Sequence, residues 1–277
     1  MYQEILSQEA VQDIHDTTMR VLEHVGVEFP SQEALSTFEA HGVQTDGSRV
    51  FLTEKQVFAA LDSAPDSFTL HARDPEQSVT VGADGPVFCP AYGAPFLVDA
   101  DRNKVTPTMD DYRRLVKLSH QLPNQDITGH LLVEPADVPA DTAHVHMVHA
   151  HMVHSDKAFI GSVAGEVGAR QTMEMLRILF GGELDRTLTL GVVSSLTPLR
   201  YSPDMIEAIL VYAREGQGLL IASMGMAGTT GPITLAGMLA MQNTGTWPSE
   251  RARVRVAAVE KPTEAIIRCT RDPWPTA

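Results

Sequence analysis

Carboxylates recur at one kind of place in this sequence. Glu134 and Asp137 follow the apolar run ITGHLLVEP, Glu166 follows KAFIGSV, and Asp204 follows LTLGVVSSL in a loop that also holds Ser194, Ser195, Thr197 and Tyr201. Anionic groups at the ends of successive apolar runs suit a cationic ligand, because opposite charges attract most where water is thin. A fourth run, GLLIASMGM, leads into GMAGTTGPITLAGML. There Gly225, Gly228 and Gly231 let backbone approach a ligand, and Thr229, Thr230 and Thr234 supply hydroxyls at or near a helix N-terminus. These residue types point to an anion or carboxylate site, although a tight strand-to-helix turn accounts for the glycines equally well.

Other reactive residues carry less. HVHMVHAHMVH places His144, His146, His149, His151 and His154 in one predicted helix, but with no i, i+4 pair of the kind that holds zinc. A solvent-facing helix is expected there, and no metal site. Cys89 sits between Phe88 and Pro90 without a basic neighbour to lower its pKa, and reads as a small buried residue rather than a nucleophile. The sequence has no Gly-x-Ser-x-Gly elbow, phosphate-binding Gly-rich loop, Cys-x-x-Cys pair or HExxH string, which removes support for the hydrolase, nucleotide-binding and zinc-protease classes.

The elements that must position these residues fall into three stretches. Residues 1–125 open with three short amphipathic helices. The first has Ser7 as N-cap and Gly26 as its stop, the second runs from Ser31 to Gly42, and the third starts on a capping box of Thr53 and Gln56. From Ser67 to Val105, short strand-like runs separated by Asp-Pro and Gly-Ala turns predict an antiparallel meander, and Thr108 with Asp111 then caps a further helix. Residues 126–243 repeat an apolar run, a loop and a helix four times, with centres near Leu132, Ile160, Val192 and Ile221. That interval is close to the ~30 residues of one βαβ repeat, and continuous apolar runs fit a parallel sheet buried on both faces. The expected class is therefore α/β, a partial TIM (β/α) barrel of about four βα units preceded by a helical and β-meander region. Four such units with no dinucleotide fingerprint favour a barrel over a Rossmann sheet, and a whole barrel has eight.

Residues 244–277 break the pattern. They hold six of the 21 basic residues and both tryptophans, and although RVRVAAV has the character of a strand, Pro262, Pro273 and Pro275 interrupt the rest. This tail reads as a local ending to a shortened chain or as the product of a frameshift.

The 277 residues carry a net charge of −14 and are 43% hydrophobic, enough for a sizeable core and unfavourable for gripping nucleic acid or an anionic membrane. With two cysteines and an opening MYQEILSQEAVQDIHD that has neither a basic nor an apolar signal region, a cytoplasmic protein is expected.

Several blocks in order, RVLEHVGVEF, APDSFTLHARDP, FLVDADRNKVTPTMDDYRRL, DVP, SSLTPLRYSPDMIEAI and GMAGTTGPITLAGMLAMQN, resemble the trimethylamine methyltransferase family, corrinoid-dependent enzymes acting on methylamines and betaines. The resemblance spans about Ile5 to Asn243. It implies transfer of a methyl group from a tertiary or quaternary amine to the cobalt of a corrinoid (cobalamin) carried by a separate protein, inside a barrel that meets the corrinoid at its open end. Under that reading Glu134, Asp137 and Glu166 would balance an ammonium and Tyr92 would cradle it. Thr229, Thr230 and Gly231 would hold a substrate carboxylate. No residue is assigned a catalytic role. The partners implied are the methylated amine and the corrinoid protein, with a homo-oligomer left open. The alternatives are an inactive fragment or amine-binding module of the same family, and an aldolase or lyase barrel, which would want a Schiff-base lysine at a strand end where Lys157 instead sits at a strand start. Some members of the family use a pyrrolysine from the C-terminal half, a position this chain does not reach.

Overall fold

A computed structural model describes residues 6–65, 67–82 and 85–246. The tail and its strand-like RVRVAAV lie outside the described residues.

The chain starts with α1 (Gln8–His24), β1 (Val27–Glu28), α2 (Gln32–Ala40), β2 (Gln44–Asp46), β3 (Arg49–Phe51) and α3 (Glu54–Asp62). Local chemistry sets the helix ends. The side chains of Ser7 and Ser31 accept the amides of Ala10 and Ala34, and Thr53 and Gln56 cap each other reciprocally. Each such cap contributes about 1 kcal/mol. Gly26, at φ +69°, ends α1, and its carbonyl side is so close to Val50 that any Cβ would meet the Val50 oxygen at 2.5 Å. The β1-β3-β2 sheet is antiparallel, and the whole segment packs its Leu22, Phe29 and Phe38 into the main core.

Two antiparallel hairpins follow, β4 (Phe68–Leu70) with β5 (Val79–Val81), and β6 (Leu97–Val98) with β7 (Lys104–Val105). Then come α4 (Met109–Gln121), α5 (Ala143–His154), β8 (Phe159–Gly161), α6 (Gly165–Phe180), β9 (Thr189–Ser195), α7 (Pro203–Arg214), β10 (Gly218–Ser223) and α8 (Leu235–Thr246). The order β10-β9-β8 is parallel throughout, so three of the four expected strand-loop-helix units form as read, in an α/β arrangement. Helices pack on one side of this sheet, where Val193, Leu219 and Ile221 join residues of α6 and α7 in the core. Gly161 is needed on that side, since a Cβ would meet the Tyr212 hydroxyl at 2.3 Å.

The first expected strand, around Leu132, is not a regular strand. Gly129 takes φ +75° and turns the backbone after two hydrogen bonds to the β8 segment, Thr128 N–H to Ala158 O and Ile160 N–H to Gly129 O. The meander reading is also corrected in part. PVFCPAYG does not run antiparallel to a neighbour. Asp126 and Ile127 donate to Phe88 O, Gly93 donates to Leu131 O, and Ala94 bridges Val133 in parallel. Residues 88–94 thus lie beside residues 126–133 as a fifth parallel segment. Pro90 offers no amide and Gly93 sits at φ +78°, which keeps the pairing intermittent. Among the described residues, no helix is long and apolar enough to cross a membrane.

Candidate functional site

Five segments now run side by side in one direction: 88–94, 126–133, β8, β9 and β10. Their N-terminal ends are closed on the inner face by the β4-β5 hairpin. Leu70 and Val81 pack there against Ile127, Ile160 and Leu190. His71 donates to Thr187 O at 2.9 Å, and Asp74 to Asp156 O at 3.2 Å. The loops of interest emerge at the other, C-terminal ends.

Tyr92 and Glu134 lie on neighbouring segments there. Their segments are joined by the Ala94–Val133 bridge and by the Glu134 N–H, which donates to Ala94 O at 3.1 Å. Tyr92 is 43% exposed, yet surrounding protein desolvates its hydroxyl and pushes its pKa up to about 12, so it is a neutral phenol at neutral pH. The Glu134 side chain is exposed and has no ion-pair partner among the described residues.

The other two carboxylates have partners within the chain. Asp137 accepts the Met109 N–H at 2.7 Å, at the first turn of α4, where the positive end of the helix dipole favours a negative charge. Glu166 lies in the first turn of α6 and pairs with Arg170 at 2.6 Å. Both are exposed.

Thr229, Thr230 and Gly231 stand at the far end of the row, after β10. Their amides all turn inward to the single carbonyl of Met226, and the Thr230 hydroxyl oxygen accepts the Met226 N–H at 2.9 Å. A Cβ on Gly231 would meet the flexible ends of two methionines, Met241 Cε at 2.5 Å and Met238 Sδ at 2.7 Å. Thr229 and Thr230 are themselves exposed residues. Ser195, the last residue of β9, and Tyr201, in the loop after it, are core residues: Tyr201 stacks on Phe29 and donates to Gly245 O.

The histidine helix is not wholly solvent-facing. His146 and His149 are exposed, but His144 and His151 are buried. His151 Nδ1 lies 2.8 Å from the Thr128 hydroxyl and Nε2 lies 2.8 Å from the Tyr112 hydroxyl, which itself donates to the His130 carbonyl. One tautomer satisfies the whole chain, with Thr128 donating to Nδ1 and Nε2–H donating to Tyr112. Burial first, then the neighbouring imidazoles, lowers His130 to about 3, and burial lowers His151 to about 4. This network fixes the backbone just before Glu134. A signal for it was present, because His144, Met147, Val148 and His151 follow helical three, four and seven spacing. Cys89, expected to be buried, is exposed on the outer segment. Among the described residues no cluster of His, Cys, Asp or Glu could hold a metal ion.

Comparison with known proteins places these features. Residues 1–247 match the family model for trimethylamine methyltransferase. The chain is 42% identical over 242 residues to the glycine betaine methyltransferase of Desulfitobacterium hafniense (strain Y51), covering 86% of this chain and 50% of that one. It is 28% identical to the proline betaine:corrinoid methyltransferase of Eubacterium limosum, with 87% of this chain and 52% of the relative covered. The trimethylamine methyltransferase of Methanosarcina thermophila is 27% identical, with 86% and 52% covered. The chain thus spans about half the length of the curated relatives it matches. The crystal structure of the Methanosarcina barkeri monomethylamine methyltransferase aligns with a TM-score of 0.44 at 15% identity, over 77% of this chain and 55% of that one.

Proposed function

Because the chain belongs to the trimethylamine methyltransferase family, we propose that it supplies the first part of a (β/α) barrel that demethylates a quaternary amine of the glycine betaine kind. The methyl group goes to the cobalt of a corrinoid borne by a separate protein. The observation that carries this reading is the 42% identity to a glycine betaine methyltransferase across 86% of the chain.

The chemistry asks little acid-base work of the protein. A quaternary nitrogen already carries a neutral amine as its leaving group, so the C–N bond breaks with its electron pair staying on nitrogen. The reduced cobalt of the corrinoid acceptor would supply the electron pair for the new bond to the methyl carbon. What the chain must do is bind, orient and exclude water. Tyr92, held as a neutral phenol, offers a ring face to the ammonium, and Glu134 offers a charge beside it. Asp137 and Glu166 add negative potential at the same rim, while the Thr229 and Thr230 hydroxyls would receive the betaine carboxylate, with Gly231 keeping their loop compact. The protein would bind no metal of its own and work in the cytoplasm.

A second reading is a member of the family that binds the amine without turning it over. One experiment separates the two. Glycine betaine is titrated calorimetrically into the protein and into Glu134→Gln, and methyl transfer to free cob(I)alamin is followed by absorbance. Methylcobalamin formation supports the enzyme. Betaine binding that Glu134→Gln weakens, without transfer, supports the second reading. Absence of binding by glycine betaine, trimethylamine and proline betaine would overturn both.

A further inference from the structure

The loop after β9 is fixed from several directions. Leu196 and Arg200 exchange both backbone hydrogen bonds across it, Leu196 N–H to Arg200 O at 2.7 Å and Arg200 N–H to Leu196 O at 3.1 Å. Leu199, the last residue of the enclosed turn, takes φ +48°, a left-handed conformation usual for glycine or asparagine. β1 holds the turn from outside, since the Glu28 N–H donates to Leu199 O at 2.9 Å and the Tyr201 N–H to Glu28 O at 3.0 Å. Tyr201 is pinned in turn by its stack on Phe29 and by its hydroxyl, which donates to Gly245 O at 2.7 Å. Strained residues that persist under such constraint cluster at binding sites.

The same hydrogen bonds set the direction of Arg200. Two residues paired in this way project to one face, and their chain neighbours project to the other. The neighbours here, Ser195 and Tyr201, are buried on the helix side, where both meet Gly245 of α8. Leu196 and Arg200 therefore project to the opposite face, the one that carries Val192 on β9 and Leu220 on β10, and both are exposed.

The charge of Arg200 is out of keeping with its surroundings. The five parallel segments are followed directly by residues 95–96, 134–142, 162–164, 196–202 and 224–234. In these stretches Arg200 is the one basic residue, and the other charges are the carboxylates Glu134, Asp137 and Asp141. Glu28, bridged to Arg200 in parallel, projects to the same face, with Arg49 as its register partner on the other side. Even so, the Arg200 guanidinium makes no ion pair among the described residues. Its backbone is fixed while its charged end is left for something else.

We propose that Arg200 reads the carboxylate of the substrate, so that this site selects a carboxylated quaternary ammonium over a bare one. A guanidinium offers a planar fork that takes a carboxylate by two parallel hydrogen bonds, and it stays charged at any working pH. It also repels an ammonium, which gives the zwitterion one orientation, with its cationic end towards Tyr92 and Glu134 and its anionic end towards the β9 loop. Tyr92 lies within electrostatic reach of Tyr212, whose ring packs against Gly191 of β9. Thr229 and Thr230 stand in the next loop, after β10, whose last residue Ser223 is in register with Ser195. Their hydroxyls would add neutral donors to the same carboxylate, for which Arg200 supplies the charge. The inference rests on the amine-site reading and adds the residue that discriminates within it.

The test compares two ligands that share a quaternary centre. Glycine betaine and tetramethylammonium, which lacks the carboxylate, are titrated calorimetrically into the full 277-residue chain and into Arg200→Gln, Arg200→Lys and the double variant Arg200→Gln with Glu28→Gln. The wild type should bind glycine betaine the tighter. Arg200→Gln should lose ~10-fold to ~100-fold in affinity for glycine betaine and stay within ~2-fold for tetramethylammonium, the scale of a charge-assisted hydrogen bond. Arg200→Lys should fall between, because it keeps the charge and loses the fork. The urea midpoint of Arg200→Gln should match the wild type, since the side chain is exposed. Equal losses for both ligands, no loss for either, or a wild type without preference for glycine betaine overturns the assignment and leaves the amine site standing. Recovery of glycine betaine binding in the double variant also overturns it, by showing that Arg200 acts only on Glu28. A wild type that binds neither ligand overturns the amine-site reading itself, and this inference with it.

Discussion

The Nζ of Lys157 lies 2.6 Å from the carbonyl oxygen of Gln125, and the same ammonium donates to Leu122 O at 2.9 Å and Ser119 O at 3.3 Å. The lysine is 7% exposed, so it closes the C-terminal end of α4 from within rather than from solvent. It also ties the start of β8 to the turn before Asp126, whose carboxylate holds the Phe88 N–H at 2.6 Å. Lys157→Met keeps the apolar stem and removes the donors, leaving those carbonyls without it. A loss of about 2–4 kcal/mol in urea unfolding is expected, together with faster exchange of the Phe88 amide. Wild-type stability in Lys157→Met would sink this account.

The imidazoles of His130 and His151 make stability depend on pH in a direction that can be worked out. Both are lowered from 6.5, to about 3 and about 4, mainly by burial. At neutral pH they are uncharged in folded and unfolded chains alike. As pH falls below 6.5 the unfolded chain binds two protons that the folded chain refuses, so stability falls with pH by about 1.4 kcal/mol per unit for each imidazole. The loss continues to about pH 4 for His151 and to about pH 3 for His130. Urea midpoints measured from pH 7 to pH 5 should show this slope. In His151→Gln the slope should drop by about 1.4 kcal/mol per unit; an unchanged slope would assign the acid sensitivity to other groups.

Gln217 performs a similar clamp where β9 and β10 begin. It is fully buried, its Oε1 accepts the Leu188 N–H at 2.8 Å and the Thr189 N–H at 3.3 Å, and its Nε2 donates to Arg186 O and Glu215 O at 3.0 Å each. Gln217→Leu matches the volume and leaves buried amides unpaired, which costs about 3 kcal/mol. Gln217→Glu retains the acceptor and loses the donors while burying a charge, so it should be less stable than Gln217→Leu at pH 8 and partly recover at pH 5, because burial favours the protonated carboxyl. Thermal unfolding of the two variants at pH 5 and pH 8 tests the order.

The features legible in the sequence are those set by neighbours. Ser7, Ser31, Thr53 with Gln56, and Thr108 with Asp111 cap helices as their spacing predicts, because a cap is closed within one turn. The runs that became β8, β9 and β10 were visible because strands covered by helices are continuously apolar. What stayed hidden depends on distant partners. Nothing local tells that Phe88 will pair with Asp126, 38 residues away, so the strand-like run gives no sign that its neighbour is parallel rather than antiparallel. The same holds in the site. Sequence placed Glu134, Asp137 and Glu166 at comparable loop positions, but only the structure shows that Asp137 is taken by the Met109 amide and Glu166 by Arg170. Sequence also cannot tell that the space beside Gly225 and Gly231 holds the ends of Met238 and Met241.

Tyr92 offers the sharpest test of the amine site. Its hydroxyl, pushed up to about 12 by desolvation, stays protonated through the physiological range, so any attraction for an ammonium comes from the ring and not from a phenolate. Two consequences follow from that protonation state. Tyr92→Phe keeps the ring and should bind glycine betaine within about 2-fold of wild type, whereas Tyr92→Ala should lose about 10-fold, the scale of a partly desolvated cation–π contact. Affinity should also stay flat between pH 7 and pH 9, a range in which a phenolate with an ordinary pKa would begin to form and strengthen binding. Calorimetric titrations of the three proteins across that range decide the matter. A large loss in Tyr92→Phe, or affinity rising steeply with pH, would show that the hydroxyl and not the ring meets the substrate.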